Sequence, residues 1–144
     1  MTQHLTPEQL TVSEPPSVQV SFPGGAAIDA DYRGFTIRTD QDEKHGGQST
    51  GPKPFDLFLV SIATCAGHYA LQFLNNRKIS TEGLAISLLP VRSADGKRID
   101  TMQLQVELPP DFPEKYSRAL ERSIDQCAVK RHIIDAPSFE ITLS

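Results

Sequence analysis

Cys65 and Cys127 are the only cysteines in a chain of 144 residues, and each stands where an apolar helix face is expected. Cys65 lies within Ser61-Ile62-Ala63-Thr64-Cys65-Ala66-Gly67-His68-Tyr69-Ala70, a nearly uncharged segment with helical character. A free cysteine is among the most buried residue types and packs as a small hydrophobe, so packing is the plain reading of each. As a pair they offer more. If the two helices bury their apolar faces in one core, the thiols can come close despite their separation in sequence. A reactive pair needs one thiolate of lowered pKa, and a nearby guanidinium can supply the lowering. Arg33 in a strand turn, Arg38 in the third strand and Arg131 shortly after Cys127 are the candidates, each an ordinary surface charge when taken alone.

Other chemistry fits less well. Cys65 with His68, and Cys127 with His132, make a nominal zinc set, but their spacing resembles neither a knuckle nor a finger. No metal is therefore expected. Gly46-Gly47 and Gly51 match no phosphate-cradling loop, and no Gly-x-Ser-x-Gly elbow is present, so no cofactor is expected either.

A formal net charge of −4 and a sequence pI near 5.5 argue against a nucleic-acid surface, and no Lys/Arg cluster opposes that. The N-terminus lacks a basic stretch followed by an apolar run, so no signal peptide is expected. Leu57 to Leu74 is uncharged, as a membrane span would be. Ser61, Thr64, Gly67, His68 and Gln72 interrupt it, which favours an enclosed helix of a soluble domain. Two cysteines without an export signal suggest the reducing cytoplasm, where a thiol pair does redox or metal chemistry more often than structural stapling.

The elements that must position the thiols can be read along the chain. Residues 1–16, ending in Pro15-Pro16, are expected to be a loose arm, with a single domain over 17–144. Val18–Phe22 alternates and stops at Pro23-Gly24-Gly25; Ala27–Tyr32 and Phe35–Thr39 flank Arg33-Gly34, a tight hairpin connection. Asp40–Lys53 reads as a polar surface loop. Pro54 suits the first turn of a helix, which runs to about Asn76 and is apolar on nearly every side, so it should be enclosed. Its Ala63, Ala66, Gly67 and Ala70 form a small-residue stripe that invites close packing. Leu84–Arg92 and Ile99–Leu108 form a hairpin around Asp95-Gly96. Phe112, Tyr116, Leu120, Ile124 and Cys127 or Ala128 repeat at helical spacing, placing Cys127 on the stripe of a second long helix. Ser138–Leu143 closes the chain as a strand. The order βββ-α-ββ-α-β is that of an α+β domain.

Gly51-Pro-Lys-Pro-Phe-Asp-Leu-Phe-Leu-Val-Ser-Ile-Ala-Thr-Cys65 resembles the core signature of the OsmC/Ohr family, and Cys127-Ala-Val-Lys-Arg-His132 resembles its second motif. The element order agrees from about Val18 onward. Where the best-studied branch carries a Glu this chain has Phe55, followed by Asp56, a placing more like the less-characterised branch. Ala128 stands where the second motif usually has proline. The resemblance implies an intertwined homodimer with an enclosed central helix, and a thiol-dependent peroxidase acting on organic hydroperoxides. It further implies that Cys65 becomes a sulfenic acid and that Cys127 resolves it as a disulfide, which an external dithiol reduces. An arginine would stabilise the thiolate and the leaving oxygen. Arg38 is expected ahead of Arg33, with Asp56 orienting the guanidinium, although Asp56 near a helix start is also favoured by the helix dipole alone. The alternative is a family member without robust turnover, a stress-linked binding or redox-sensing dimer.

Overall fold

The structure is a computed structural model that describes residues 17–144; the expected arm over residues 1–16 lies outside the described residues. The chain divides into two compact units, Met1–Pro54 and Phe55–Ser144.

In the first unit an antiparallel sheet of order β1-β2-β3 is built from β1 (Gln19–Gly24), β2 (Ala27–Tyr32) and β3 (Phe35–Thr39). Tyr32 faces Phe35, so β2 and β3 are joined by Arg33 and Gly34 alone, both at positive φ (49° and 83°). A two-residue connection of this hand matches the twist of the strands it joins. The hairpin then fixes the register and sets Asp29 opposite Arg38. The Arg38 guanidinium donates from Nε and Nη2 to the two Asp29 oxygens, at 2.8 Å each. This pairing holds the Asp29 carboxyl below the usual carboxylate range.

β3 ends in two buried polar residues. The Thr39 hydroxyl donates to the Ile28 carbonyl at 2.8 Å. Asp40 accepts from the hydroxyl and N–H of Thr50 and from the N–H groups of Gln41 and Gln48. The expected surface loop is thus folded around a buried carboxylate. It contains a 3-10 turn, Glu43–His45, capped by Asp42. Gly47 has no alternative here: a Cβ would lie 1.9 Å from the Gln41 carbonyl oxygen.

The second unit is organised by α1 (Pro54–Asn76). Ala70, Phe73 and Leu74 pack with Leu120 in its core, flanked by Ile79, Ile86, Phe112, Tyr116 and Ile124. Burying a side chain such as Leu74 or Leu120 contributes about 1.5–3 kcal/mol. The Arg77 guanidinium lies 3.7 Å over the Phe73 ring, and Tyr116 meets that ring edge-on. β4 (Ala85–Arg92) and β5 (Ile99–Glu107) form the expected hairpin, with Ile86, Leu88, Met102, Leu104 and Val106 on the partly buried face. By length and composition α1 could cross a membrane. A core helix has the same profile, and Ile62, Ala66, Ala70, Phe73 and Leu74 are buried.

Two expectations are corrected. The single long helix after Phe112 is broken into α2 (Ser117–Ile124) and α3 (Ala128–Ile134), because Cys127 leaves helical geometry at φ −47° and ψ 117°. Ser138–Leu143 is not a strand: its alternation marks a face, but among the described residues no strand supplies the neighbouring N–H and C=O groups, and Phe139, Ile141 and Leu143 are exposed. Along α1, Phe55, Val60 and Leu71 are exposed in the single chain.

Asp40 makes a testable statement about acid. Hydrogen bonds from the Thr50 hydroxyl and N–H, joined by those of Gln41 and Gln48, outweigh its desolvation and lower its pKa from 3.8 to about 2. A depressed carboxylate stabilises the fold above its unfolded pKa and loses that contribution as pH falls through its folded one. Loop amides of Gln48 and Thr50 should therefore keep their hydrogen-exchange protection at neutral pH and lose it between 3.8 and about 2. Asp40→Asn should lower their protection at neutral pH and remove this acid step.

Candidate active site

The two cysteines, distant in sequence, meet in the second unit. Cys65 lies on α1, one residue before the fully buried Ala66, and is itself half-buried; Cys127 is 2% exposed, and both are free thiols. The break before α3 creates the meeting. After α2, the N–H groups of Asp125, Gln126 and Cys127 still bond back to Glu121, Ser123 and Ile124, so the chain turns tightly. Cys127 then becomes the N-cap of α3, and its sulfur accepts the Lys130 N–H at 3.4 Å. A hydroxyl from Ser123 to the Tyr69 carbonyl, at 3.4 Å, ties α2 to α1 one turn beyond Cys65.

The two sulfurs are electrostatically unequal. Burial disfavours the Cys65 thiolate, but hydrogen bonding from the Val129 N–H, the Cys127 thiol and the Ala128 N–H outweighs it. The Cys65 thiol is held below the ordinary cysteine value. Cys127 moves the other way. Burial pushes its thiol up, the Lys130 N–H opposes this, and the adjoining Cys65 adds to the rise. The arrangement can hold a nucleophilic thiolate at Cys65 beside a thiol at Cys127 that keeps its proton.

The remaining sequence candidates are placed within their own units. Arg38 is held by Asp29 in the first unit. Arg33 occupies the β2–β3 turn, 5.4 Å over the Tyr32 ring. Asp56 is half-buried in the first turn of α1. Arg131 is exposed on α3, where it lines a shallow hollow of about 300 Å³ with Ala128, His132 and Asp135. His68 is edge-on to Tyr69, and His132 donates from Nδ1 to the Ala128 carbonyl at 2.7 Å. Among the described residues, no three His, Cys, Asp or Glu side chains gather as metal ligands would.

Sequence reasoning missed two contributions. The Ala128 and Val129 N–H groups belong to every residue type but proline, so no side chain announces them. Asp29 was within reach: the two-residue turn at Arg33-Gly34 makes it the residue opposite Arg38, a cross-strand pair of opposite charge.

Residues 46–142 match the model of the family described as OsmC-like protein. No curated protein matches the sequence. Among solved structures, one from Psychrobacter arcticus, whose name assigns it to osmotic stress and detoxification responses, is 18% identical. That match covers 90% of this chain and 89% of the other, with a TM-score of 0.67. An OsmC-like protein from Mycoplasma pneumoniae is 16% identical over 86% of this chain and 90% of its own, with a TM-score of 0.66. A hypothetical protein from Aquifex aeolicus is 16% identical over 85% and 89%, with a TM-score of 0.60. These likenesses show the fold.

The donors at the start of α3 can be tested one at a time. Proline is well suited to the first position of a helix, so Ala128→Pro should fold while removing one N–H from the Cys65 sulfur. The pH midpoint of Cys65 alkylation by iodoacetamide, followed by peptide mass spectrometry, should move up in Ala128→Pro. Ala128→Ser keeps the N–H and should leave the midpoint where it is.

Proposed function

Because the chain belongs to the OsmC-like protein family, we propose that it is a thiol peroxidase that reduces organic hydroperoxides. The observation that carries this reading is the contact between two unequal thiols, Cys65 lowered and Cys127 raised. In the first step the Cys65 thiolate attacks the terminal oxygen of R–O–O–H. The O–O bond breaks, the sulfur becomes a sulfenic acid, and the leaving alkoxide takes a proton to give the alcohol. The Cys127 sulfur then attacks the sulfenic sulfur. An S–S bond forms and the hydroxyl leaves as water, with the Cys127 proton balancing the step. An external dithiol returns both thiols by two exchanges, becoming a disulfide itself. The sulfur that attacks first must be the better-ionised one, and the one that resolves must not compete for the peroxide.

The positive charge for the leaving oxygen is proposed to come from Arg38, with Arg33 as the second choice and Asp56 as its orienting group. Asp29 joins this set, since its bidentate pair already fixes the Arg38 guanidinium. Phe55 and Ala128 are compatible with the reading: Ala128 keeps an N–H that serves the Cys65 sulfur. The proposed setting is the reducing cytoplasm, with no cofactor, metal, nucleic acid or membrane as partner.

The working form is proposed to be a homodimer. Phe22, Phe35, Phe55, Val60, Phe139 and Leu143 are all more than half exposed in the single chain, more large apolar surface than an isolated domain normally shows water. Sedimentation at micromolar concentration should give a dimer with an interface above the standard size. A stable folded monomer removes this part of the reading.

Turnover is tested by following cumene or tert-butyl hydroperoxide with a dithiol reductant. Wild type should consume the peroxide and Cys65→Ser should abolish consumption. Cys127→Ser should complete one round of oxidation and then stall as sulfenic acid or over-oxidise. Arg38→Ala should slow the peroxide step by roughly 10²-fold, the scale of losing one group that stabilises developing charge. If wild type consumes no peroxide with any dithiol, or Cys65→Ser keeps full activity, the peroxidase reading fails and a binding or sensing role takes its place.

A further inference from the structure

The start of α3 is built from the redox groups themselves. Cys127 is its N-cap, and the cap hydrogen bond is made by the Cys127 sulfur to the Lys130 N–H. An N-cap acceptor satisfies one of the donors that the first turn of a helix leaves without a partner. α3 has little else to hold it. It has seven residues, none of them buried, with Ile133 and Ile134 open to solvent. A helix this short is marginal in water by itself. The capping sulfur is at the same time in contact with Cys65 on α1. Closing an S–S bond brings Cys127 Sγ to bonding distance of Cys65 Sγ and so shifts the acceptor from the position at which it meets the Lys130 N–H, 3.4 Å away.

We propose that α3 is a redox-responsive element: closure of a Cys65–Cys127 disulfide uncaps Ala128–Ile134 and loosens it, and reduction restores the helix. The oxidation removes two electrons and two protons from the thiol pair. A hydroperoxide accepts them and yields alcohol and water; diamide accepts them and yields its hydrazine. The inference goes beyond the peroxidase reading and needs only the contact of the two thiols.

Hydrogen exchange of the full-length chain, read by peptide mass spectrometry, tests it in the dithiothreitol-reduced and diamide-oxidised states. The oxidised chain is identified by an intact monomer mass lower by two hydrogens. Amides of residues 131–134 should exchange roughly tenfold faster in the oxidised wild type, the scale expected for a lost cap at a helix end. Cys127→Ser supplies a hydroxyl, a good N-cap, and cannot form the disulfide, so its α3 should stay protected under both conditions. Cys127→Ala should exchange fast under both. If diamide closes the disulfide and speeds exchange while hydroperoxide leaves the thiols untouched, the peroxidase reading fails and the switch stands. The switch is overturned if wild type carrying the disulfide shows unchanged exchange at 131–134, or if diamide closes no intramolecular disulfide.

Discussion

A helix that begins on a sulfur atom is the constraint from which the chemistry of this chain follows. Had Cys127 stayed in the helical region, α2 and α3 would form one rod, and its side chain would be one more apolar contact on a buried stripe. Its departure at ψ 117° ends one helix and starts another. The N–H groups of the new first turn are thereby aimed at sulfur: Lys130 to Cys127, Val129 and Ala128 to Cys65. An anion is favoured where backbone donors converge, and the desolvation that would otherwise disfavour a thiolate is offset without any charged side chain. The asymmetry between the two thiols comes from the same local geometry: both sulfurs receive backbone donors, but at Cys127 burial and the adjoining Cys65 outweigh them.

The first unit shows how polar groups can organise a small sheet that has little core. β1 is exposed along its whole length, and the unit's buried residues include Thr39 and Asp40. What stands in for apolar packing is a carboxylate whose lone pairs are fully used. Asp40 draws three backbone N–H groups and a hydroxyl into one knot, so a glycine-rich segment that would otherwise wander is held to the end of β3. The Asp29–Arg38 pair on the neighbouring strand positions has a different character. It is partly exposed and worth little for stability, but a bidentate guanidinium has a defined direction.

Much of what the single chain exposes is patterned. Phe139, Ile141 and Leu143 alternate as one face of a strand would, Val60 and Leu71 line the open side of a helix whose other side is packed, and Phe55 is exposed in its first turn. Among the described residues outside its own helix turns, nothing lies within 4 Å of where a Gly67 Cβ would be.

The sequence by itself determined β1 to β5, the apolar helix, both hairpins and the family, but it also suggested a last strand over Ser138–Leu143 that the structure does not form. Those features rest on local rules: period-two alternation, turn residues at fixed positions, a proline at a helix start, and two cysteine motifs in a given order. The Asp29–Arg38 pair was legible too, since a two-residue turn dictates every partner along its hairpin. The break at Cys127 was not. A repeat at helical spacing continues through it without interruption, and nothing in Asp125-Gln126-Cys127 requires the backbone to turn. Nor could side-chain patterning reveal that the donors serving Cys65 are backbone N–H groups, or that Asp40 is buried inside a loop that looks entirely polar. The inequality of the two thiols is a property of the tertiary structure, because thiolate stability depends on which donors surround the sulfur in space, and residues far apart in the chain supply them.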